Sequence, residues 1–597
     1  VLEIFIGRFD DFNEFKIKRS GNKTRITSKN QDSIEFHDFI AISSNGFDVI
    51  YNGQLYSLEK FTLLVEAMNL RDLIVLTSKE KMLLAENGFN DFHNVYVLEE
   101  NFPVFPGVKY HDDLTRNFHE LSRCLIKIRS LGIRGVSLGI DTVTRGMRKV
   151  NRKIRWKNEL DSNFYFSTFS GYQEVFKIKE ECDNRVVIAL DYNSMFASCM
   201  SGDFLDPKKL SYKTFNIEFG TESIKPGFYR VRLVNPKTSF IKKFHPFRFV
   251  KLKKSYAFKM KDEDVLELFL FESEIEYYSG HFESVIIIDG IISDDSIKHP
   301  LANYSNKLYN KRLKAKKENN RTLELLLKFK LAMLHSSTNK VFKKRKNFDS
   351  KLELVRFVER EFCFVRPDDC SINTFLDFLA KTTTFSIEIK SNGILLEYPS
   401  YNESGQIFSL TARVLANARL KMTKTIEYLL DFESIELCYV NVDSIHISIP
   451  KTLQPAFFHY SNALISEGLG DLKIQSIASR GYWLDVGRYW LIDNGNVKKF
   501  ANVGFNSSGS DKPFVSQRKK LIRYKSSAFD FCKPYYVNIE DSFTFKNRLL
   551  NDGKYERYSF EEINSLEQMF RSEQLEACKT LQRKASIFYG LRDIIGR

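Results

Sequence analysis

Apolar residues along this chain keep two rhythms, and where each one holds already outlines the fold. Phe39-Ile40-Ala41-Ile42 and Leu73-Ile74-Val75-Leu76 read as strands. Leu58 to Ala67 between them keeps helical spacing, so residues 1–160 predict a small α/β domain. Val186-Val187-Ile188-Ala189-Leu190 predicts a buried strand, and it ends in Asp191. Val285 to Ile292 predicts another. Interrupted by Asp289 and Gly290, it falls well short of the ~20 apolar residues of a membrane-crossing helix, so no membrane partner is expected. Two helices are predicted between 302 and 338, with polar Glu318-Asn319-Asn320 as the turn. From Ser409 or Thr411 to about Leu430, the positions Leu415, Ala418, Met422, Ile426 and Leu429 follow one helix face. Leu437 to Val440 and Ile445 to Ile449 then read as strands, the second alternating with period two, and Asn441-Val442-Asp443-Ser444 as the hairpin tip between them. That alternation places His446 with Ser444 and Ser448, facing solvent or the rim of a site.

Charge adds a partner to this outline. Ninety Lys and Arg against 75 Asp and Glu leave +15, which favours a polyanion such as nucleic acid. Residues 143–157 carry Arg145, Arg148, Lys149, Arg152, Lys153, Arg155 and Lys157 without one acid, and a second basic cluster runs from Arg518 to Lys525. Both suit phosphate contacts, and both serve equally as solvated helix faces. Eight cysteines without any Cys-x-x-Cys argue against a disulfide framework or a structural zinc site, so a reducing compartment is expected. The first residues, Val1-Leu2-Glu3-Ile4, have no basic segment of the kind that opens a secretory signal.

The candidate chemistry lies in two carboxylates. Asp191 ends a buried strand and Asp443 sits at a hairpin tip, where a carboxylate is costly unless paired, solvated or bound to metal. Each alone reads as an ordinary turn residue; brought together they would repel, and a hard divalent ion with oxygen ligands would resolve the conflict. Their surroundings favour the second reading. Asp191-Tyr192-Asn193-Ser194-Met195-Phe196-Ala197-Ser198 is similar to Asp-x-x-Ser-Leu-Tyr-Pro-Ser, and Tyr439-Val440-Asn441-Val442-Asp443-Ser444 to Tyr-x-Asp-Thr-Asp-Ser. These are motifs of the family-B DNA polymerases, and the chain most resembles their protein-primed branch of phages and linear plasmids. Between the two, Lys307 to Lys317 looks like the first fingers helix, and Lys330 to Phe342 like the second, with its Lys-x-x-x-Asn-Ser-x-Tyr-Gly. Phe169-Ser170-Gly171-Tyr172 resembles the glycine-containing tyrosine motif upstream, and Gly487-Arg488-Tyr489 the Lys-x-Tyr motif downstream. The order of motifs over 165–505 is the family's.

There are departures. Asn441 replaces the first hairpin Asp, and His335, Thr338 and Asn339 replace the Asn, Tyr and Gly of the fingers motif. Lys330 is one residue out of register with that motif. No Asp-x-Glu, the first exonuclease motif, occurs before residue 190, and Asp38 and Asp48 read as ordinary acids.

The resemblance implies an α+β right-hand polymerase of palm, fingers and thumb with an N-terminal α/β exonuclease-like domain. The expected domains are 1–160 (a degenerate 3′–5′ exonuclease, or else a partner-binding domain), 161–300 (palm and first insertion), 301–342 (fingers), 343–408 (second insertion), 409–505 (palm) and 506–597 (thumb). By resemblance, Asp191 and Asp443 are catalytic and hold two Mg²⁺ or Mn²⁺ ions with the Tyr192 carbonyl. Ser194, Met195, Phe196, Arg312, Lys316, Lys330 and His335 would bind the nucleotide, with the Phe196 ring beneath the sugar and Thr338 in place of its aromatic neighbour. Arg148, Arg152, Arg155, Gly171, Arg488 and Tyr489 would bind nucleic acid. The expected partners are DNA template and primer, dNTPs and, in this branch, a terminal protein primer. The expected location is the cytoplasm of a bacterial or phage-infected cell, with an organelle as the alternative. Two rivals stand beside this reading: a template-independent or ribonucleotide-using nucleotidyltransferase, and a non-catalytic nucleic-acid-binding scaffold. Retention of both acids speaks against the scaffold, in which they would repel without compensation.

Overall fold

The computed structural model describes residues 40–502 apart from short stretches, and beyond that span only the backbone of paired strands within 3–37 and 520–557. Asp38, Phe169, Ser170, the side chains of the Arg518 to Lys525 cluster and most of the expected thumb lie outside the described residues. The chain divides into two compact units, 1–148 with 304–337, and 149–303 with 338–597.

In the first unit, Gln54–Ser57, Asp48–Tyr51 and Ile40–Ser44 form an antiparallel meander, and Asp72–Val75 and Asn94–Val97 extend it in parallel on the other edge. Parallel neighbours need a crossover, and the helices Leu58–Ala67 and Ser78–Glu86 supply the two. Side-chain alternation splits this sheet between two cores. Leu73 and Val75 pack with Ile42, Phe61, Val65 and Leu84. Ile74 and Leu76 pack with Phe118, Leu121 and Leu125 of helix Leu114–Ser130. Leu326 of helix Arg321–Leu334 belongs to that second core. The helix Arg321–Leu334, read from the sequence as part of a separate segment with Ala302–Lys317, therefore completes a core built mainly from residues before 140. The turn between these two helices works because Asn319 takes a left-handed φ of 53° and the Asn320 side chain accepts from the Leu323 N–H at 3.1 Å.

The second unit is built on a five-stranded antiparallel sheet, in the order Gln173–Val175, Glu436–Asn441, Ser444–Pro450, Arg185–Tyr192, Leu472–Ala478. Val187 and Ala189 share a core with Tyr439, Trp483, Tyr489 and Leu491. Tyr192, on the opposite face, hydrogen-bonds through its hydroxyl to Thr425 of the long helix Phe408–Leu430. This unit also holds a four-stranded sheet (Leu210–Glu218, Phe282–Ser293, Gly227–Pro236, Val265–Phe271) and a three-stranded one (Phe342–Phe348, Gly393–Ser400, Ser386–Lys390). Among the described residues, no helix is long and apolar enough to cross a membrane.

The long helix is held at its start from far away in sequence. Its first N–H groups have no partner inside the helix, and the residue before it, Ile407, offers no side-chain cap. Asp161, fully buried, takes that role: its carboxylate accepts from the Phe408 N–H at 2.8 Å, the Ser409 N–H at 3.0 Å and the Ser409 hydroxyl at 2.6 Å. Farther along, Arg419 forms a buried pair with Glu274 at 2.9 Å. Asp161→Ala leaves these donors without their acceptor and removes the counter-ion of Lys157, whose ammonium lies 3.0 Å from Asp161. It should destabilise the unit by about 3 kcal/mol, read as a lowered thermal midpoint, with Asp161→Asn retaining part of the loss.

Candidate active site

Register decides what meets at the end of the central strand. Asp191 lies opposite Ser444 on one side and Lys473 on the other. Asp443 follows within the two-residue turn joining Asn441 to Ser444, and its carbonyl accepts from the Tyr192 N–H at 2.9 Å. The two carboxylates expected from the sequence are thus brought side by side.

The tip holds a strained backbone. Val442 has φ +57°, a left-handed conformation that a β-branched residue rarely adopts. Two hydrogen bonds fix it: the Val442 N–H donates to Tyr172 at 2.8 Å and the Asp443 N–H to Asn441 at 2.6 Å. Gly171 lies buried beneath. A Cβ there would come within 3.1 Å of Val442 Cγ1, so the glycine lets this segment pack closely against the tip. Asn441, in place of the family's acid, accepts at Oδ1 from Gln173 Nε2 at 3.0 Å, which ties the hairpin to the edge strand.

Electrostatics are those of two acids with nearby cations. Burial, and then the charge of Asp191, push the Asp443 carboxyl up to about 6, while Lys473 and Lys499 pull it down. Lys473 Nζ sits 2.8 Å from Asp191 Oδ2 and 3.2 Å from Asn193 Oδ1. Tyr489 is buried on the same face, and both acids help raise its hydroxyl after burial and Tyr439. It packs edge-on against His446, with ring centres 4.8 Å apart. Arg488 opens the same strand, and its side chain lies outside the described part.

His446 corrects the alternation argument. It is wholly buried, its Nδ1 accepting from Trp483 Nε1 at 2.8 Å, because strands Arg480–Asp485 and Arg488–Asp493 cover the face that period two had assigned to solvent or a rim. Burial lowers its pKa well below the ordinary value.

The other expected residues are placed as follows. After Asp191 comes a single helical turn, Met195–Ser198, with Met195 buried, Phe196 half-buried and Ser194 at φ +54°. Thr338 is buried; its hydroxyl bonds that of Thr411 and its carbonyl accepts from the Ile407 N–H at 2.9 Å. Its side chain thus joins the start of the long helix. Arg312, Lys316, Lys330 and His335 belong to the first unit. There Arg312 lies 3.8 Å from Glu324, Lys316 is exposed, and His335 Nδ1 is 2.9 Å from the Ala332 carbonyl at the helix end. Lys330 is 8% exposed, and burial lowers its pKa against the pull of Asp141. Arg148, Arg152 and Arg155 are exposed. The sequence reading missed Lys473; the signal was a single cation inside the strand Leu472–Ala478, just after the turn Gly468-Leu469-Gly470-Asp471.

Two carboxylates and no soft donors fit a hard divalent ion. No cluster of three or more His, Cys, Asp or Glu side chains occurs among the described residues. The remaining ligand positions would fall to water and substrate phosphates, as Mg²⁺ favours.

In metal-free buffer, Asp443 makes stability pH-dependent. Its folded pKa of about 6 lies above the ordinary 3.8, so the folded protein holds the proton more tightly, and stability is lost as pH rises through about 4 to 6. The loss should reach up to about 3 kcal/mol. Asp443→Asn should abolish it and melt higher than the parent at pH 8; equal pH profiles for the two proteins would show that Asp443 is not desolvated.

No described protein family matches the sequence, and no curated protein does. Among solved structures, phi29 DNA polymerase complexed with primer-template DNA and incoming nucleotide substrates is similar over 90% of this chain and 99% of that one, at 12% identity and a TM-score of 0.49. Phi29 DNA polymerase complexed with single-stranded DNA gives the same figures: 90%, 99%, 12% and 0.49. The family B DNA polymerase from the hyperthermophilic archaeon Pyrobaculum calidifontis is similar over 84% of this chain and 59% of that one, at 10% identity and a TM-score of 0.29. By its own mixture of helices and mainly antiparallel sheets, the chain is α+β in class.

Proposed function

We propose that the protein is a DNA-directed DNA polymerase that extends a 3′-hydroxyl by two-metal phosphoryl transfer. The observation that carries this reading is the meeting of Asp191 and Asp443 at one end of the central sheet, each inside its motif. The Tyr192 carbonyl follows as a third oxygen by resemblance. Bound divalent ions would activate the attacking hydroxyl and neutralise the leaving pyrophosphate. The chain's own part is to hold the two carboxylates in register, to bind triphosphate through the Ser194–Phe196 turn, and to bind the DNA backbone through exposed Arg148, Arg152 and Arg155; Arg312, Lys316 and Lys330 are assigned to nucleotide binding by resemblance alone. The five-stranded sheet would be the palm. Ala302–Lys317 and Arg321–Leu334 would be the fingers, and a terminal protein is the primer the resemblance suggests.

The N-terminal sheet would be an exonuclease-like domain without its metal site. Its central strand reads Ile40-Ala41-Ile42-Ser43-Ser44, and the nearby buried Glu80 is taken up by four donors: the Ser43 hydroxyl and the Ser44, Leu76 and Thr77 N–H groups.

The scaffold reading gains one observation. Lys473 compensates Asp191 without any metal, so retention of both acids no longer argues against it. Incorporation of dNTPs on a primed template, with no-template, no-primer and rNTP controls, separates the readings. Template-directed extension dependent on Mg²⁺ is expected, and Asp191→Ala or Asp443→Ala should each lower the rate at least ~10³-fold, or ~4 kcal/mol. Untemplated tailing would favour the first rival, and DNA binding without synthesis the scaffold. The Asp191→Ala protein should leave a mismatched 3′ end intact in Mg²⁺ or Mn²⁺; its degradation would reveal a second metal site in the N-terminal domain.

A further inference from the structure

The proposed reaction leaves unused the ion pair between Asp191 and Lys473. The backbone register brings these two side chains together. Residues directly opposite in an antiparallel ladder project from the same face with Cβ atoms about 4.5–5.5 Å apart, and Asp191 and Lys473 are such partners. The ammonium reaches Asp191 Oδ2 at 2.8 Å, on a carboxylate that would hold a divalent ion. With Asn441 in place of an acid, the site's formal charge is two carboxylates against this one lysine, before Lys499 acts on Asp443.

We infer that Lys473 is a built-in competitor for the divalent ion at Asp191, so that the site takes metal weakly by itself and fills when a metal–triphosphate complex arrives. The inference rests on reading Asp191 and Asp443 as the metal site. A divalent ion at Asp191 must drive the ammonium off or bind beside a positive charge within about 4 Å, and either lowers its affinity. Asn193 Oδ1, 3.2 Å from Nζ, gives the displaced ammonium a neutral acceptor one step away. The triphosphate then brings the negative charge that the site lacks, and the released lysine is placed to pair with it. A metal–nucleotide complex would therefore load in preference to a free ion.

The test is Mn²⁺ binding to the full chain without nucleotide, followed by the electron paramagnetic resonance signal of the free ion. Lys473→Met and Lys473→Gln should each tighten binding about tenfold, and Lys473→Arg should stay near the parent. The thermal shift produced by Mn²⁺ should grow in the same order. Unchanged or weakened binding in Lys473→Met and Lys473→Gln, with binding still lost in Asp191→Ala and Asp443→Ala, overturns the inference and leaves the metal site standing. Binding that survives Asp191→Ala and Asp443→Ala, or that is absent from the parent and Lys473→Met alike, overturns the metal reading and the inference together.

Discussion

Arg185–Tyr192 is hydrogen-bonded along both edges, and that double pairing is the constraint from which the site follows. A strand with one free edge can slip; one ladder on each side must slip together. Because successive side chains alternate, a shift of one residue would send Asp191 toward Thr425 and Tyr192 toward the acids. The native register instead separates the two by function. Tyr192 anchors the sheet to the long helix through its hydroxyl, and Asp191 stands at the end of the aromatic layer formed by Tyr439, His446, Trp483 and Tyr489. Two carboxylates brought together on such a frame repel each other, which a proton on Asp443, the Lys473 ammonium or a bound cation can relieve.

The helix that backs this sheet depends on partners remote in sequence. Asp161 caps its first turn, and Glu274 holds Arg419 in its middle. Each is a buried charge whose desolvation is offset only while several donors or a full counter-ion stay in place, so these contacts act as checks on correct assembly as much as sources of stability. Strain at Val442 is tolerated for the same reason: Gly171 and Tyr172, on a different segment, hold the hairpin tip from below.

How far the sequence could be read depended on whether the physical cause was local. The hairpin, the long helix and the turn at Asn319-Asn320 follow from spacing and polar residues that lie within a few positions of one another; the two carboxylates stood at a strand end and a hairpin tip, but it was the resemblance of the motifs around them that singled them out. His446 was misplaced because period two reveals which residues share a face, not whether another sheet covers it. The bond of Thr338 to Thr411 and the packing of Gly171 beneath Val442 were equally out of reach, since each partner is remote in sequence. Lys473 lies 282 positions after Asp191, and only the strand order makes them neighbours. The share of Leu326 in the N-terminal core was hidden for the same reason.

That last contact has a consequence for how the protein is made. The sheet around Ile74 leaves the ribosome long before Leu326 does, and translation at about 5–20 residues per second separates the two by roughly 10–50 s. Through that interval the nascent chain carries an N-terminal core that still lacks its last helix, with apolar surface open to holding chaperones and to proteases. Pausing within the intervening stretch would lengthen the exposure, and quick synthesis would shorten it, so the yield of folded protein is tied to the tempo of translation as well as to the stability of the finished chain.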